Sequence, residues 1–373
     1  MSQEITKMAK LGFGLMRLPE KDGKIDLPKV CTMVDEYLAA GFSYFDTAYV
    51  YHGGRSERAI ADALVARHPR ESFMIADKLP GWALHSEEDN ERVFQEQLSR
   101  TNAGYFDFYL MHAVDDGNNY AAYEKYNSFA FAMEKKKEGK IKHLGFSFHG
   151  SPAQLERVLD KHPEVEFVQI QLNYLDWNHE GVQAGKNYEI LLKRGIPIIV
   201  MEPVKGGTLA NVEPDLEALM KEASPNRSVA SWALRFAGSL DGVMTILSGM
   251  SNEEQVRDNL ATFKNFEPLN DAEYAVINTV VSKMLNMPIV SCTSCRYCCD
   301  GCPAKINIPN VFSALNTIRM YPGDTRPHTL YNGMITESGR ANACIACGKC
   351  EKVCPQHLSI IELMKEASGH LDR

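Results

Sequence analysis

Nine of the ten cysteines of this 373-residue chain lie between residues 292 and 354, and their spacing is the most informative pattern in the sequence. They form two runs of the type C-x-x-C-x-x-C-x-x-x-C-P, one from Cys292 to Pro303 and one from Cys344 to Pro355. The amino terminus has no apolar segment typical of a secretion signal, so a disulfide framework is not expected. Thiols at this density therefore predict metal ligands or redox groups.

The spacing within each run is typical of bacterial ferredoxins, in which the fourth cysteine of one run binds the cluster of the other run. It predicts two [4Fe-4S] clusters. The proposed ligands form two interleaved sets, which are Cys292, Cys295, Cys298 and Cys354 for the first cluster and Cys344, Cys347, Cys350 and Cys302 for the second. Zinc is the alternative metal, although zinc sites more often use two C-x-x-C pairs. Cys31 and Cys299 have no predicted ligand role.

A second set of reactive residue types lies nearer the amino terminus, at the ends of short apolar segments. Tyr51 follows Asp46 by five positions, and Lys78 and His112 end the next two apolar segments. This order resembles the catalytic tetrad of aldo-keto reductases, and the resemblance extends over roughly residues 10 to 265. It implies reduction of a small-molecule aldehyde or ketone by NADPH or NADH. The plain alternative is that each residue is a polar cap on a strand or loop.

The chemistry of carbonyl reduction accounts for these residue types. Negative charge develops on the substrate oxygen as hydride reaches the carbon, so a proton donor is needed there, and Tyr51 is the predicted donor. Lys78 is expected to lower the pKa of Tyr51 from its ordinary value of about 10. Asp46 would keep the ammonium of Lys78 charged and oriented. His112 would orient the substrate oxygen and stabilise its developing charge.

The nicotinamide cofactor is not expected on a Rossmann fingerprint, because the segment GFGLM lacks the third glycine and the acidic residue of that motif. The resemblance implies contacts on barrel loops instead. The matching positions are Gly14, Leu15, Met16, Asp46, Ser147, Gln169, Met201, Gly249, Gln255, Asp258 and Asn259. Ser147 and Gln169 would bind the carboxamide. The loop at 249–259 would hold the adenosine half, with Asp258 and Asn259 near the adenine.

Several positions depart from the family pattern. His149 stands close to where a second carboxamide contact is usual, and Met201 occupies the position of an aromatic residue that often stacks on the nicotinamide. The basic residues that usually hold the 2′-phosphate of NADP align with Gly249 and Gln255. Arg257 is a nearby substitute, but a helical residue two positions away faces another direction. NADP and NAD therefore both stay open as cofactors.

These residues need a scaffold that brings them together, and the pattern of apolar runs predicts one. Eight short apolar runs alternate with segments of helical period between about residues 11 and 265. After the first run at 11–18, the others end at Asp46, Lys78, His112, Ser147, Asn173, Glu202 and Gly249. Eight parallel strands predict an α/β fold of the (β/α)8 TIM-barrel type, with a doubly wound open sheet as the alternative. We favour the barrel, because it opens all the strand ends onto one face, where active sites lie.

The helical segments complete this architecture. Helices are predicted over residues 28–40, 152–161, 212–222, 227–237, 271–285 and 308–320. The barrel is expected over residues 1–285, followed by a small, mainly helical ferredoxin-like domain over residues 286–373. Aldo-keto reductase homologues with such an extension form a group that this chain resembles along its whole length.

Composition narrows the function classes further. Hydrophobic residues make up 45% and charged residues 24% of the chain, which is typical of globular proteins. Acidic residues outnumber basic ones by 48 to 40, and a net charge of −8 argues against a nucleic-acid partner. No apolar run approaches the roughly 18 residues of a membrane span. A cytoplasmic protein without a membrane partner is expected.

The two modules could work together in different ways, because hydride transfer moves two electrons and an iron-sulfur cluster moves one. In the first hypothesis the barrel reduces carbonyls while the clusters stabilise the carboxy-terminal lobe or dock a partner. In the second, the clusters relay electrons between a redox protein and the barrel, and carbonyl reduction is minor or absent. A third, an inactive scaffold, is disfavoured by the complete tetrad.

Candidate walls of the substrate pocket are Trp82, Tyr120, Tyr123 and Trp177.

Overall fold

The computed structural model describes residues 8–115, 118–287, 289–320, 327–328, 331–332 and 339–372. Eight of its strands form a closed parallel barrel, as the alternating pattern predicts, and two short strands form an antiparallel hairpin. In chain order the strands are β1 (Leu11–Gly14), β2 (Glu20–Lys21), β3 (Lys24–Ile25), β4 (Tyr44–Asp46), β5 (Met74–Pro80), β6 (Phe106–Val114), β7 (Ile141–Phe148), β8 (Phe167–Gln171), β9 (Ile198–Met201) and β10 (Val243–Ser248).

The barrel closes because β1 pairs with both β4 and β10, so that no edge strand is left in that sheet. Going round from β1, the order is β10, β9, β8, β7, β6, β5 and β4. Adjacent strands are in a register that places their carboxyl ends side by side, with Pro80 beside His112 and Ser147 beside Gln169. The carboxyl ends of the strands therefore meet on one face, as expected for a barrel active site.

Helices cover the barrel and build the carboxy-terminal region. They are α1 (Leu27–Ala39), α2 (Arg55–Ile60), α3 (Glu88–Thr101), α4 (Asn118–Lys125), α5 (Ser128–Lys137), α6 (Pro152–Lys161), α7 (Ala184–Arg194), α8 (Pro214–Ala223), α9 (Val229–Gly238), α10 (Glu253–Lys264), α11 (Asp271–Leu285), α12 (Tyr297–Asp300), α13 (Ile308–Met320), α14 (Lys349–Lys352) and α15 (Ile360–Leu371). The predicted helices all appear within two residues of these bounds. None of the described helices is both long and apolar enough to span a membrane.

Local signals explain where several helices begin. The Ser151 hydroxyl accepts a hydrogen bond from the amide of Gln154 at 3.3 Å, and Pro152 occupies the first turn of α6. At α11, Asn270 and Glu273 form a reciprocal capping box. These caps satisfy amide groups that would otherwise have no partner at the helix start.

The apolar side chains form separate cores in the barrel and in the carboxy-terminal region. The barrel core includes the fully buried Trp232. The carboxy-terminal core is smaller and contains Phe312 and Leu315 from α13 with Ile360 and Met364 from α15. Such a small core stabilises a fold weakly by itself, and metal clusters are a common means of compensation.

Candidate active site and metal centres

Four predicted residues converge at the carboxyl end of the barrel. Asp46 ends β4, Lys78 lies in β5 and His112 lies in β6, while Tyr51 begins a single 3₁₀ turn after β4. The buried Lys78 Nζ donates hydrogen bonds to Asp46 Oδ1 at 2.6 Å, to the carbonyl oxygen of Thr47 at 2.7 Å and to Tyr51 Oη at 3.4 Å. The structure thus brings an acid, an ammonium and a phenol into direct contact.

His112 completes this group. Its ring centre lies 6.1 Å from that of Tyr51, with the two planes nearly perpendicular. Burial, together with the charge of Lys78, lowers the pKa of His112 well below its usual range, so the imidazole is neutral at pH 7. Its Nδ1 has no hydrogen-bond partner among the described residues. The hydroxyl of Tyr123 donates to the backbone carbonyl of His112 at 2.6 Å, which fixes the strand end.

The pKa of Tyr51 differs from the sequence expectation. Burial raises it well above 10, and the nearby carboxylates of Asp46 and Glu202 raise it further. The expected lowering by Lys78 does not appear, and the reason is the ion pair that engages the ammonium with Asp46 at 2.6 Å. A phenolate here would be a buried anion among carboxylates, so Tyr51 is protonated, which is the state required of a proton donor.

Next to Tyr51 lies a cavity of about 430 Å³, called the inner cavity below. Most of the predicted cofactor contacts line it, namely Gly14, Met16, Asp46, Gln169, Met201, Gly249, Gln255, Asp258 and Asn259. Leu15 and Ser147 are not part of the lining. Leu15 belongs to the barrel core, and the Ser147 hydroxyl accepts a hydrogen bond from the amide of Ala113 at 2.8 Å.

The polar atoms of the inner cavity fit a nicotinamide dinucleotide. Asp46 Oδ2 and Gln169 Oε1 are buried without a partner among the described residues, and such atoms are costly unless a ligand or water satisfies them. Asp258 accepts a hydrogen bond from Ser228 at 2.6 Å, and Asn259 donates to Ser248 Oγ at 2.8 Å. These bonds hold both side chains at the end where the adenine is expected.

Cationic side chains are scarce around the inner cavity. Arg17 and the buried His149 are the basic residues among those that line it. The Arg17 stem packs beside Gly249, and its Nη2 donates to the backbone carbonyl of Thr293 at 2.7 Å. Arg257, the substitute considered from the sequence, is exposed and forms a bidentate ion pair with Glu36. It is therefore already engaged, away from the cavity lining.

A second cavity of about 660 Å³, called the outer cavity, adjoins the first. Both are lined by His149, Tyr297 and Pro355. Trp82 lies in the outer cavity, with its ring centre 5.1 Å from that of His112. The other three aromatic residues predicted as pocket walls pack elsewhere: Tyr120 against His162, Tyr123 among backbone groups, and Trp177 against Tyr188 and Phe236.

The cysteines of the two runs surround two small cavities in the interleaved pattern expected from their spacing. One cavity is lined by Cys292, Cys295, Cys298 and Cys354, and the other by Cys302, Cys344, Cys347 and Cys350. Among the described residues, no three acidic, histidine or cysteine side chains are grouped closely enough to hold a single metal ion. A zinc ion requires four thiols close to a single position, whereas a multi-iron cluster occupies a cavity between them. The arrangement of four thiols around a cavity therefore suits a cluster better than zinc.

Burial favours the protonated form of two of these thiols. It raises the pKa of Cys295 to about 12 and that of Cys350 to about 11, so both are neutral thiols at pH 7 in the absence of a cation. A bound metal stabilises the thiolate instead. Cys299 is outside both cavity linings, and its hydrogen bond with Cys298 lowers the pKa of Cys299. Cys31 is half-buried in α1.

Lys205 joins the barrel to the loop that follows Cys354, a predicted cluster ligand. Its buried Nζ donates to Asp176 Oδ1 at 2.6 Å and to Gln356 Oε1 at 2.7 Å. Gln356 lies two positions after Cys354. Together with the bond from Arg17 to Thr293, this contact seats both ends of the first ligand set on the carboxyl face of the barrel.

Replacing Lys205 with methionine should destabilise the protein. The variant leaves the Asp176 carboxylate buried without its cation, and breaking such a buried pair costs about 3–5 kcal/mol. We expect a clearly lower midpoint of thermal unfolding, measured under anaerobic conditions. Lys186→Met is the matched control, because Lys186 is exposed and bonds only to Gln183 among the described residues. Equal midpoints for the two variants would contradict the proposed tether.

Comparison with known proteins agrees with this geometry. Residues 10–282 match the model of the aldo/keto reductase family, and residues 291–359 match that of a 4Fe-4S dicluster domain. L-galactose dehydrogenase of Arabidopsis thaliana is 27% identical over 285 residues, covering 70% of this chain and 86% of that protein. An uncharacterized oxidoreductase of Bacillus subtilis, YqkF, is 24% identical over 68% of this chain and 86% of its own length.

Solved structures show the same barrel. An aldo-keto reductase of Bacillus halodurans in its holo form superposes with a TM-score of 0.57 at 23% identity, covering 73% of this chain and 92% of that one. An aldo/keto reductase of Klebsiella pneumoniae in complex with NADP and acetate gives a TM-score of 0.59 at 18% identity, with coverages of 74% and 92%. This chain belongs to the aldo/keto reductase family of NAD(P)-dependent oxidoreductases and carries a 4Fe-4S dicluster domain after its barrel.

Proposed function

We propose that the protein reduces an aldehyde or ketone with a nicotinamide cofactor, and that Tyr51 donates the proton. The observation that carries this proposal is the contact of Lys78 Nζ with both Asp46 and Tyr51 at the wall of the inner cavity. A protonated phenol next to a neutral imidazole gives two hydrogen-bond donors for one carbonyl oxygen. Such donors stabilise the charge that develops on that oxygen.

Each residue then has a distinct task. A bound nicotinamide cofactor supplies the hydride. Tyr51 transfers its proton to the substrate oxygen, and the Lys78 ammonium, at 3.4 Å, stabilises the phenolate that this transfer creates. Asp46 holds the ammonium in place. His112 is neutral, and with its ring facing Tyr51 it orients the substrate oxygen.

The cofactor proposed is NADH in preference to NADPH. Among the described lining residues of the inner cavity, Arg17 is the one permanent cation, and a dinucleotide already presents a diphosphate to it. The positions that would hold a 2′-phosphate are Gly249 and Gln255, and Asp258 places a carboxylate at the same end. A carboxylate accepts hydrogen bonds from ribose hydroxyls and repels a phosphate.

Replacing Arg17 with methionine is expected to weaken binding of NADH and NADPH alike. A charge-assisted hydrogen bond contributes about 1.5–3 kcal/mol, so the dissociation constant should rise roughly 10- to 100-fold. Cofactor fluorescence titration measures this directly, without a carbonyl substrate. Arg257→Met is the control and should bind like the wild type, because Arg257 pairs with Glu36. If Arg257→Met were the weaker binder, or if NADPH bound the wild type more tightly than NADH, the cofactor assignment would be wrong.

A second candidate function is electron relay between the clusters and the barrel. It is supported by the position of the first ligand set, because Cys295 lines the inner cavity and Cys298 and Cys354 line the outer one. A redox protein would then be the partner. When bound, a [4Fe-4S] cluster accepts or donates one electron at a time.

Anaerobic mixing with NADH, without a carbonyl, distinguishes the two candidates. Electron paramagnetic resonance reports whether the clusters become reduced. Reduction by NADH at a rate comparable with turnover supports the relay. Clusters that stay oxidised while aldehyde is reduced at full rate support a structural or docking role for the cluster domain.

A further inference from the structure

One wall of the active site comes from the cluster domain. Tyr297 begins α12, directly between the predicted ligands Cys295 and Cys298, yet its ring lies on the barrel. The ring centre is 6.4 Å from that of His112, and the two planes meet at 79°. Tyr297 lines both the inner and the outer cavity. Tyr297, which follows Tyr51 by 246 positions and His112 by 185, is thus a neighbour of the proposed proton donor and its histidine.

Three aromatic rings surround His112, and they come from different parts of the molecule. Tyr51 follows β4, Trp82 follows β5, and Tyr297 belongs to the cluster domain. Their ring centres lie 6.1, 5.1 and 6.4 Å from that of His112. Trp82 keeps 44% of its surface exposed and lines the outer cavity, so its ring is accessible to a ligand bound there.

The rest of the outer cavity has a mixed lining. Its apolar members include Val50, Ala113, Val353 and Pro355, and its polar or charged members are Asp115, Asn119, His149, Asp300, Lys349, Lys352 and His357. The flat rings of this cavity nearest to His112 are therefore those of Trp82 and Tyr297. Its volume of about 660 Å³ exceeds what a short aliphatic aldehyde can fill and lies in the range of sites for drug-sized ligands. A carbonyl at His112 and Tyr51 would place its substituent against these two rings.

We propose that Tyr297 is a specificity-determining residue of the active site, and that with Trp82 it selects carbonyl compounds that carry an aromatic or similarly flat ring. The proposal rests on the proposed carbonyl reduction at Tyr51. Aromatic rings at such distances attract one another by offset or edge-to-face contact, beyond the effect of buried area. Because Tyr297 lies between two predicted cluster ligands, a bound cluster would hold this wall in place before the substrate arrives, which would lower the entropic cost of binding.

The test compares two aldehydes on the full-length holoprotein, 4-nitrobenzaldehyde as the aromatic probe and butanal as the aliphatic one. Tyr297→Ala should raise KM for 4-nitrobenzaldehyde about tenfold, as expected for loss of one aromatic contact. The change in KM for butanal should be about twofold or less. Tyr297→Phe keeps the ring and should restore the aromatic preference. Tyr105→Ala is the control, because Tyr105 precedes β6 at the opposite end of the barrel.

Two further measurements separate failure of this proposal from failure of the proposed function. Iron content should be the same in Tyr297→Ala and the wild type, which excludes an indirect effect through a lost cluster. Saturation-transfer NMR of acetophenone with the NAD⁺-bound protein detects ring binding without turnover, because the oxidised cofactor has no hydride to transfer, and the signal should fall in Tyr297→Ala. Equal changes for both aldehydes, or an unchanged acetophenone signal, would overturn the role of Tyr297. If the wild type reduces neither aldehyde but binds acetophenone through Tyr297, only the proposed reaction is wrong.

Discussion

Replacing Tyr51 with phenylalanine should lower kcat/KM for aldehyde reduction by about 100- to 10,000-fold, the usual contribution of a positioned general acid. The substitution removes the hydroxyl that receives the Lys78 hydrogen bond and keeps the ring beside His112. The dissociation constant of NADH should change little, because Asp46 and Gln169, which line the inner cavity and each have a buried oxygen without a partner among the described residues, remain. Steady-state kinetics with 4-nitrobenzaldehyde and a fluorescence titration of NADH measure the two quantities separately.

Tyr49→Phe is the matched control for this substitution. Its hydroxyl, two positions before Tyr51, bonds to Glu96 outside the active site at 3.0 Å. We expect wild-type kinetics from this variant. A Tyr51→Phe protein that keeps kcat/KM within tenfold of the wild type would show that another group gives the proton. A wild type inactive on every aldehyde and ketone tested would instead contradict the proposed reaction itself.

The scaffold and the tetrad could be predicted because their signals are local. Each barrel strand is a short apolar run that ends in a polar residue, and a parallel barrel necessarily brings those ends to one face. Asp46, Lys78 and His112 are therefore neighbours in space although more than 30 residues separate each from the next. The signal for three thiols of each cavity is local in the same sense, since they come from one run, and the ferredoxin-type pattern predicts that the fourth comes from the other run.

The contacts between the two domains could not be predicted in this way. Arg17 reaches Thr293 across 276 positions, and Lys205 reaches Gln356 across 151. Neither pair belongs to a repeating pattern or a motif. Such contacts depend on how the cluster domain packs on the barrel. Tyr297 has only one sequence signal, an aromatic residue between two ligand cysteines, and that position is equally compatible with an exposed side chain.

The pKa of Tyr51 illustrates a related limit. The sequence predicts Lys78 as a neighbour of Tyr51, which the contact at 3.4 Å confirms, and its charge alone predicts a lowered pKa for Tyr51, which is wrong. The direction in the folded protein depends on burial and on the net charge nearby, where Asp46 and Glu202 outweigh one ammonium that is already paired. Residue types therefore predict which side chains are in contact. Predicting the direction of a pKa shift also requires knowledge of how deeply the group is buried.

Replacing Cys354 with serine should remove the cluster built on the upstream run. Cys354 lines a cavity with Cys292, Cys295 and Cys298, while the other cysteines of its own run line the second cavity. A serine hydroxyl is a harder and poorer ligand for cluster iron than a thiolate. Iron per chain should therefore fall from about eight to about four after anaerobic purification. The remaining cluster should still give a signal by electron paramagnetic resonance after reduction.

Double variants identify which cluster is lost. Cys295→Ser added to Cys354→Ser should cost no further iron, because both residues serve the same cluster and the effects do not add. Cys347→Ser added to Cys354→Ser should remove the remaining four or so irons. Cys299→Ser is the control and should keep the full content, since Cys299 lines neither cavity. In the reverse result, iron is lost on adding Cys295→Ser and kept on adding Cys347→Ser. That result would show that each run binds its own cluster. Tyr297 would then be anchored by the upstream run alone.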